Sequence, residues 1–501
     1  MAVTSVVIAI SIASMKINAK TEKTVVVEEK PFELHLVNSV NKLLSSKANY
    51  DYGVDKVENP ETCKVIHTET IQRHGARHLN KLKKMDETVE YFSQLLKDGA
   101  LKDDTLVKWA TELREKEEGN TDKICKTGEA EIRGIAQRMR ERLGLDEDMS
   151  GDIVVENTFK KRTQETRDVF LKNLLPSSFP KDNLHLVDAN QCEDIFDAEG
   201  NVNQTVFHNY APIRFFSVCP NYATFRNDSN LRNLVEGSFD YNPYIESVKG
   251  HNRIWDKVLS STNSIEYPQK RELLFHMFTM CQFEVLLLLS TYFQASCYNT
   301  YNHTCAVLER ESNIFQQLSM DDDMRLVMYK GEGSQLNFQM ACPLGRSMLS
   351  GLLSSLLNHL PEGEKKEALK AKYAAHFDLE EEVPRAHLRF GHAESILPLY
   401  YLFIMKPPRL QNNRMRFTGV DFIPMSANFQ FDLLQCGDEF YFRLLANEVP
   451  IHLDLPRTKY TEVFELEPFL DQWLGVLKEW EITDCSYDDF VKLCDKPVCK
   501  A

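Results

Sequence analysis

The alternation of apolar and polar positions divides the chain into strands and helices in a repeating order. Residues 62–72 are rich in Thr, Val and Ile and predict a first core strand, preceded by a loop over 49–60 and a short helix over 31–44. Residues 80–118 are dense in Leu, Lys and Glu at helical spacing, so runs such as Lys81-Leu82-Lys83-Lys84 read as solvated helix faces. Thr127-Gly128-Glu129 opens a helix to about Leu143, with Ile132, Ile135, Met139 and Leu143 on one face. A second strand over 151–156 leads into a polar, basic loop, Asn157 to Thr166, and a helix over 167–175.

Between 190 and 320 the pattern changes. Aromatic residues, Asn and Cys collect there, and Glu272 to Phe293 is strongly helical and largely apolar, so 191–319 reads as an inserted, mainly helical cap. A short apolar segment, Met324 to Tyr329, ends in Lys330-Gly331-Glu332-Gly333, a Gly-x-Gly too weak to indicate a nucleotide loop. Cys342 to Leu360 predicts a helix with a Leu/Met core face, and Glu362 to Lys372 a solvated charge run. Ala386 to His392 is a third core strand, followed at once by a helix to about Phe403. Phe422–Gln435 and Glu439–Leu453 predict an antiparallel pair turning at Gly437-Asp438, and 461–499 a helix plus a Cys-bearing loop.

Composition narrows the setting. The 501 residues are 43% hydrophobic and 27% charged, an ordinary globular balance with room for a core and an insertion. A net charge of −15 argues against nucleic acid and anionic membranes as partners, so an anionic ligand needs a local basic pocket. Val3 to Ser14 is an apolar run of h-region length with a small residue at Ala19 for cleavage, which predicts a signal peptide over 1–19. The next most apolar run, Val285 to Ser290, is too short to span a bilayer. The twelve cysteines form no paired CxxC set; disulfides in an oxidising compartment fit better than a metal site, with Cys297/Cys305 and Cys494/Cys499 near enough in sequence to pair. Sequons at Asn203, Asn227 and Asn302 agree with export. The expected plan is a signal peptide, an N-terminal extension over 20–59, an α/β core from 60–190 and 320–501, and the cap over 191–319.

Two stretches carry chemistry. Arg73-His74-Gly75-Ala76-Arg77 closes the first strand: guanidinium forks match phosphate oxygens, a neutral imidazole can attack phosphorus, and glycine permits a close backbone approach. His392-Ala393-Glu394 stands between a strand end and a helix start, at the sheet edge where ligands bind in open α/β folds. Arg162, in the basic loop before a helix, is a candidate third phosphate arginine. The chain has no Walker A, Gly-x-Ser-x-Gly or His-Glu-x-x-His motif.

With these two motifs the chain resembles the histidine acid phosphatases, and the Phe390-Gly391-His392-Ala393-Glu394 form resembles their multiple inositol polyphosphate phosphatase branch. The resemblance runs over roughly 60–460, with clear matches near 62–77, 153–170 and 388–450; Leu79 stands where the family usually has Pro. It implies an α/β fold, a central mixed sheet flanked by helices with a helical cap. It also implies His74 as the nucleophile that forms a phosphohistidine, Arg73, Arg77, Arg162 and His392 as phosphate-binding residues, and Glu394 as the proton donor. Neither metal nor cofactor is expected. A polyphosphorylated substrate calls for a second pocket, for which Lys160, Lys161 and Lys330 are candidates. The expected activity is that of a secreted or lumenal phosphomonoesterase acting on inositol polyphosphates, with 2,3-bisphosphoglycerate as a further substrate. The lysosome and the membrane periphery are alternative final locations, and the Val498-Cys499-Lys500-Ala501 end carries no Lys-Asp-Glu-Leu-type retrieval signal. The alternatives are a broad-specificity acid phosphatase, a phosphoglycerate mutase, and a non-catalytic binding protein on the same scaffold.

Overall fold

The computed structural model describes residues 50, 57–190, 196–197, 199–203, 213–229, 259, 267–291, 319, 322–323, 325–331, 333–404, 419–482 and 485–495. The signal peptide, the 31–44 helix, Cys297, Cys305 and Asn302 lie outside the described residues; Asn203 and Asn227 lie within them and are exposed.

In chain order the elements are β1 (Cys63–Arg73), α1 (Lys83–Lys97), α2 (Thr105–Glu117), α3 (Lys126–Leu143), β2 (Ile153–Thr158), α4 (Lys161–Leu174), β3 (Leu184–Asn190), α5 (Pro220–Arg226), α6 (Tyr267–Thr291), α7 (Gln335–His359), α8 (Glu364–Tyr373), β4 (Ala386–Gly391), α9 (Ala393–Phe403), α10 (Gly419–Phe422), β5 (Asn428–Cys436), β6 (Glu439–Ala446), β7 (Val449–Pro450), α11 (Leu466–Glu479) and α12 (Tyr487–Leu493). The strands form one mixed sheet in the order β3-β2-β4-β1-β5-β6-β7. β3, β2, β4 and β1 run parallel, and β5 joins β1 antiparallel.

Both faces of the sheet are covered. On one, Ile132, Ile135 and Met139 of α3 and Phe170 of α4 pack on Val155, Leu388 and Phe390. On the other, α7, α9 and α11 bury Ile71, Phe429, Phe431 and Phe442. Val65 and Ile71 share parity along β1 yet face opposite cores, because the register shifts between Val65 and His67 and turns the remainder of the strand over. Each large side chain buried in this way is worth about 1.5–3 kcal/mol.

Among the described residues, three disulfides staple distant segments: Cys63–Cys436 across β1 and β5, Cys219–Cys494, and Cys342–Cys485, with sequence separations of 373, 275 and 143 residues. Cys494 therefore pairs with Cys219 and not with its sequence neighbour Cys499, since α12 packs back on the core. Long closed loops are those whose cross-links most restrict the unfolded chain.

Several elements depart from the pattern-based expectation. α4 begins at Lys161, inside the stretch read as a loop. Residues 161–166 carry no apolar stripe; the buried face of this first turn is polar, made of Arg162, Thr163 and Thr166, and Thr166 Oγ1 accepts from the Gly75 amide at 3.1 Å. α7 starts at Gln335, where the Ser334 hydroxyl accepts from the Leu336 amide as an N-cap. The apolar segment before Gly331 is helical over 325–330, and the charge run after 362 forms α8, anchored by Leu369 and Tyr373. β3 was not anticipated: it is a short edge strand whose Leu186 is exposed. The antiparallel pair is tighter than expected, β5 and β6 closing directly at residues 437–438.

Candidate active site

The parallel register sets the site. Arg73 pairs with Gly391 across β1 and β4, and Asn157 with Phe390 across β4 and β2, so the next residues of all three strands emerge together at one edge. The His74 amide donates to the Gly391 carbonyl at 3.1 Å, which locks the two chemical stretches side by side. Glycine at 75 answers a packing need: a Cβ there would lie 3.0 Å from Gly128 Cα, and one on Gly128 would lie 2.2 Å from the Ala76 carbonyl oxygen. The Arg-His-Gly loop thus rests directly on the start of α3. Beneath it, buried Glu131 accepts from the Ala76 and Tyr50 amides and from the Ser426 hydroxyl, and the Ser426 amide donates to the His74 carbonyl. Burial pushes the Glu131 carboxyl up to about 7.

His74 is buried, with Nδ1 3.0 Å from the Gly75 carbonyl oxygen. A carbonyl only accepts, so Nδ1 carries the proton and Nε2 keeps its lone pair. Burial, with Arg162, Arg77, Arg73 and His392 adding repulsion, holds the imidazole well below the usual histidine range, hence neutral.

Three arginines surround this ring, and a fourth meets the neighbouring His392. Arg73 donates to the Ile423 and Pro424 carbonyls at 2.6 and 3.0 Å, and burial together with Arg162, against the pull of Glu394, brings it down to about 10. Arg77 donates to the His78 carbonyl at 2.7 Å and falls to about 9 for the same reasons of burial and neighbouring arginines. Arg162, in the first turn of α4, is held by an ion pair to Asp122 and reaches His392 Nδ1 at 3.3 Å. The fourth, Arg214, was not singled out from the sequence; its one signal there is an arginine inside the apolar run Ile213–Phe216. The Ser395 hydroxyl at the start of α9 donates to the Ile213 carbonyl and so hangs Arg214 over the site. Its guanidinium lies over the rings of Phe159 and Phe216, 5.0 and 5.3 Å from their centroids.

His392 is also buried and held well below the usual range by burial, Arg162 and Arg214. A neutral imidazole has one acceptor nitrogen. With Nδ1 accepting from Arg162, Nε2–H donates to Thr158 Oγ1 at 3.0 Å, which leaves the Arg214 Nη1 donor, 3.2 Å from Nε2, unmatched. The Nε donors of Arg77, Arg162 and Arg214 are buried and have no hydrogen-bond partner among the described residues. The buried guanidinium groups outnumber the carboxylates that face them, and this excess of positive charge suits the cage to an anion. The N-terminal ends of α4 and α9 add their positive dipole ends at the same edge.

Glu394 stands in the first turn of α9 and its carboxylate pairs with Lys330 Nζ at 3.0 Å. Burial alone would raise this carboxyl, but Lys330 and His392 outweigh it and hold it well below the carboxylate range. The other two predicted lysines divide. Lys160 lies over the Phe159 ring at 4.6 Å, on the same aromatic as Arg214, whereas the Lys161 side chain is exposed and within 4.0 Å of Glu165. Asp122 has no distinguishing sequence pattern and is recognisable only by its partner. No group of three or more His, Cys, Asp or Glu side chains among the described residues is placed to hold a metal ion.

A parallel α/β edge that holds a neutral histidine within an arginine cage is the architecture of a phosphate-ester enzyme. The sequence model of the histidine phosphatase superfamily (branch 2) matches residues 64–447, and the chain belongs to that family. It is a histidine acid phosphatase. No curated protein sequence matches the chain. Among solved structures, it is similar to the multiple inositol polyphosphate phosphatase of Bifidobacterium longum in complex with inositol hexasulfate, at 15% identity and a TM-score of 0.59 over 89% of this chain and 98% of that one. It is also similar to the phytase from D. castellii, at 14% identity and a TM-score of 0.61 over 92% and 89%. At such identities the likeness shows a shared fold. Among the described residues no helix is long and apolar enough to cross a membrane, and the three disulfides indicate an oxidising compartment.

Proposed function

We propose that the protein is an exported phosphomonoesterase that removes phosphate from inositol polyphosphates through a phosphohistidine. The observation that carries this reading is the excess of buried guanidinium charge around a neutral His74 with its Nε2 lone pair free. His74 Nε2 attacks phosphorus while Arg73, Arg77, Arg162 and Arg214 bind the non-bridging oxygens and stabilise their charge. His392, fixed by Thr158 and Arg162, holds the Arg162 guanidinium toward the site. Glu394 donates a proton to the leaving alkoxide, then as carboxylate takes one from the water that cleaves the phosphorus–nitrogen bond. The predicted signal peptide, the exposed sequons at Asn203 and Asn227, and the disulfides support export. That the Bifidobacterium longum protein was crystallised with inositol hexasulfate supports the choice of substrate class.

The test is phosphate release from inositol hexakisphosphate in the presence of EDTA. Wild type is expected to retain activity, and His74→Ala to lose at least roughly a thousandfold in kcat, the scale expected when a nucleophile is removed. Strict loss with EDTA, or near-normal turnover by His74→Ala, would sink the mechanism.

A further inference from the structure

Lys330 is held in place by more than its ion pair. It ends the helical residues 325–330, and the turn behind it is closed by donation from the Gly331 and Gly333 amides to the Val327 carbonyl. The Asn337 side chain donates to the Gly331 carbonyl at 2.8 Å, and the Tyr222 hydroxyl donates to the Tyr329 carbonyl at 3.1 Å. A Cβ on Gly331 would lie 2.7 Å from the Tyr401 ring of α9, and one on Gly333 would lie 2.2 Å from the Met328 carbonyl oxygen. The Gly-x-Gly is thus a packing device that lays Lys330 against the start of α9, beside Glu394. The side chains of both are about one-fifth exposed, so the pair opens to solvent.

This creates a conflict with the chemistry. The proton donor must hold a proton when the ester bond breaks, yet at rest Glu394 is kept ionised by Lys330. The other charged or titratable groups facing it are His392 on its own side of the cage, Arg73, Arg77 and Arg214 across it, and the Tyr222 phenol. The phosphatase reading assigns the arginines to the reacting phosphate, whereas Lys330, 3.0 Å from the proton donor, stands next to where the leaving oxygen must lie.

Building on the phosphatase reading above, we propose that Lys330 is a specificity switch: a neighbouring phosphate of a polyphosphorylated substrate draws Lys330 away from Glu394, and the buried carboxylate then takes up a proton from solvent. The balance is complete. The bond from phosphorus to the leaving oxygen breaks as the bond to His74 Nε2 forms, and the proton on Glu394 passes to the alkoxide. Water later gives a proton back to Glu394 as its oxygen displaces His74. Departure of the products returns Lys330 to Glu394 and the proton to solvent. A monoester with the same alcohol but no neighbouring phosphate leaves the ion pair closed.

The test compares the pH dependence of kcat for inositol hexakisphosphate and inositol monophosphate, which share a leaving-group chemistry. The alkaline limb reports the protonated donor in the bound complex. In wild type the limb for the hexakisphosphate is expected at least about one pH unit above that for the monophosphate, a tenfold difference in the donor's proton affinity. Lys330→Met is expected to bring the two limbs together at the higher value and to raise KM for the hexakisphosphate; Lys330→Arg is expected to keep them apart. Monophosphate turnover that is absent in wild type and restored by Lys330→Met also supports the switch. Coincident limbs in wild type, or an undiminished separation in Lys330→Met, would overturn it while leaving the phosphatase reading intact. Failure to hydrolyse either ester would overturn both. The wild-type comparison stands even if a variant does not fold.

Discussion

Strands β1, β2 and β4 carry two clusters of charge, one beneath the sheet and one at its C-terminal edge. Beneath the sheet, Arg389 pairs with Glu69 and, at 3.0 Å, with Glu156; His67 Nε2 lies 3.1 Å from Glu69, and His387 Nδ1 lies 2.8 Å from Arg389. Even the overlying helix yields to it, since a Cβ on Gly351 would meet Glu69 Oε1 at 2.1 Å. Each carboxylate there faces the Arg389 guanidinium. At the edge a few residues further on, the cations Arg73, Arg77, Arg162, Arg214 and Lys330 outnumber the carboxylates that face them, Asp122, Glu394, Asp322 and a Glu131 raised to about 7, and His74 and His392 are neutral. Buried charge is tolerable when paired, so matched charge marks structure and unmatched charge of one sign marks a ligand site.

The sharpest way to break this comparison is to unbalance the matched cluster. Arg389→Met strands two buried carboxylates and is expected to cost about 3–5 kcal/mol of stability, read from denaturant or thermal unfolding. A change within experimental error would mean that the interior pairs are not what holds the strands in register. At the edge the expected effect is on catalysis. Arg214→Ala removes a charge-assisted contact to the anion worth roughly 1.5–3 kcal/mol, which corresponds to a loss of about ten- to a hundredfold in kcat/KM, with unfolding little changed. An unfolding loss comparable to that of Arg389→Met would show that Arg214 is structural instead.

The smallest effect is on the pH dependence of stability, and it has opposite signs in the two regions. Glu69 is buried, but Arg389, His387 and His67 outweigh burial and bring it down to about 2, so its contribution is present above the ordinary carboxylate range and is lost as pH falls toward 2. Glu131, behind the catalytic loop, is raised to about 7, so its contribution is present below the ordinary carboxylate range and fades as pH rises through 7. Glu131→Gln is therefore expected to flatten the decline in melting temperature between about pH 5 and 8, an effect on the order of 2–3 kcal/mol at most. An unchanged slope would place the titration elsewhere.

Much of this was legible in the residues. The β1, β2, β4 and hairpin strands follow from apolar and β-branched runs, and the α3 face from its 3.6-residue spacing. His74 and His392 were readable because both lie at strand ends, where side chains reach the ligand edge. Arg214 was harder to find because its segment has no periodicity and its importance lies in what hangs it over His392. The start of α4 was obscured because its buried face there is polar, Arg162, Thr163 and Thr166, rather than an apolar stripe. The pairing of Cys494 with Cys219 depends on α12 folding back against the core, a contact between chain segments 275 residues apart.

Local pattern thus determined which segments become strands and helices and which residue types could handle phosphate, because periodicity and side-chain chemistry are properties of short stretches. Only the tertiary structure decided which charges are cancelled and which are left for a substrate. Neutralisation of Arg389, the placing of Arg214 against His392 and the capture of Glu394 by Lys330 all depend on groups far apart in the chain meeting within a few ångströms. At that range, in a medium shielded from water, a single neighbour sets the sign of a site.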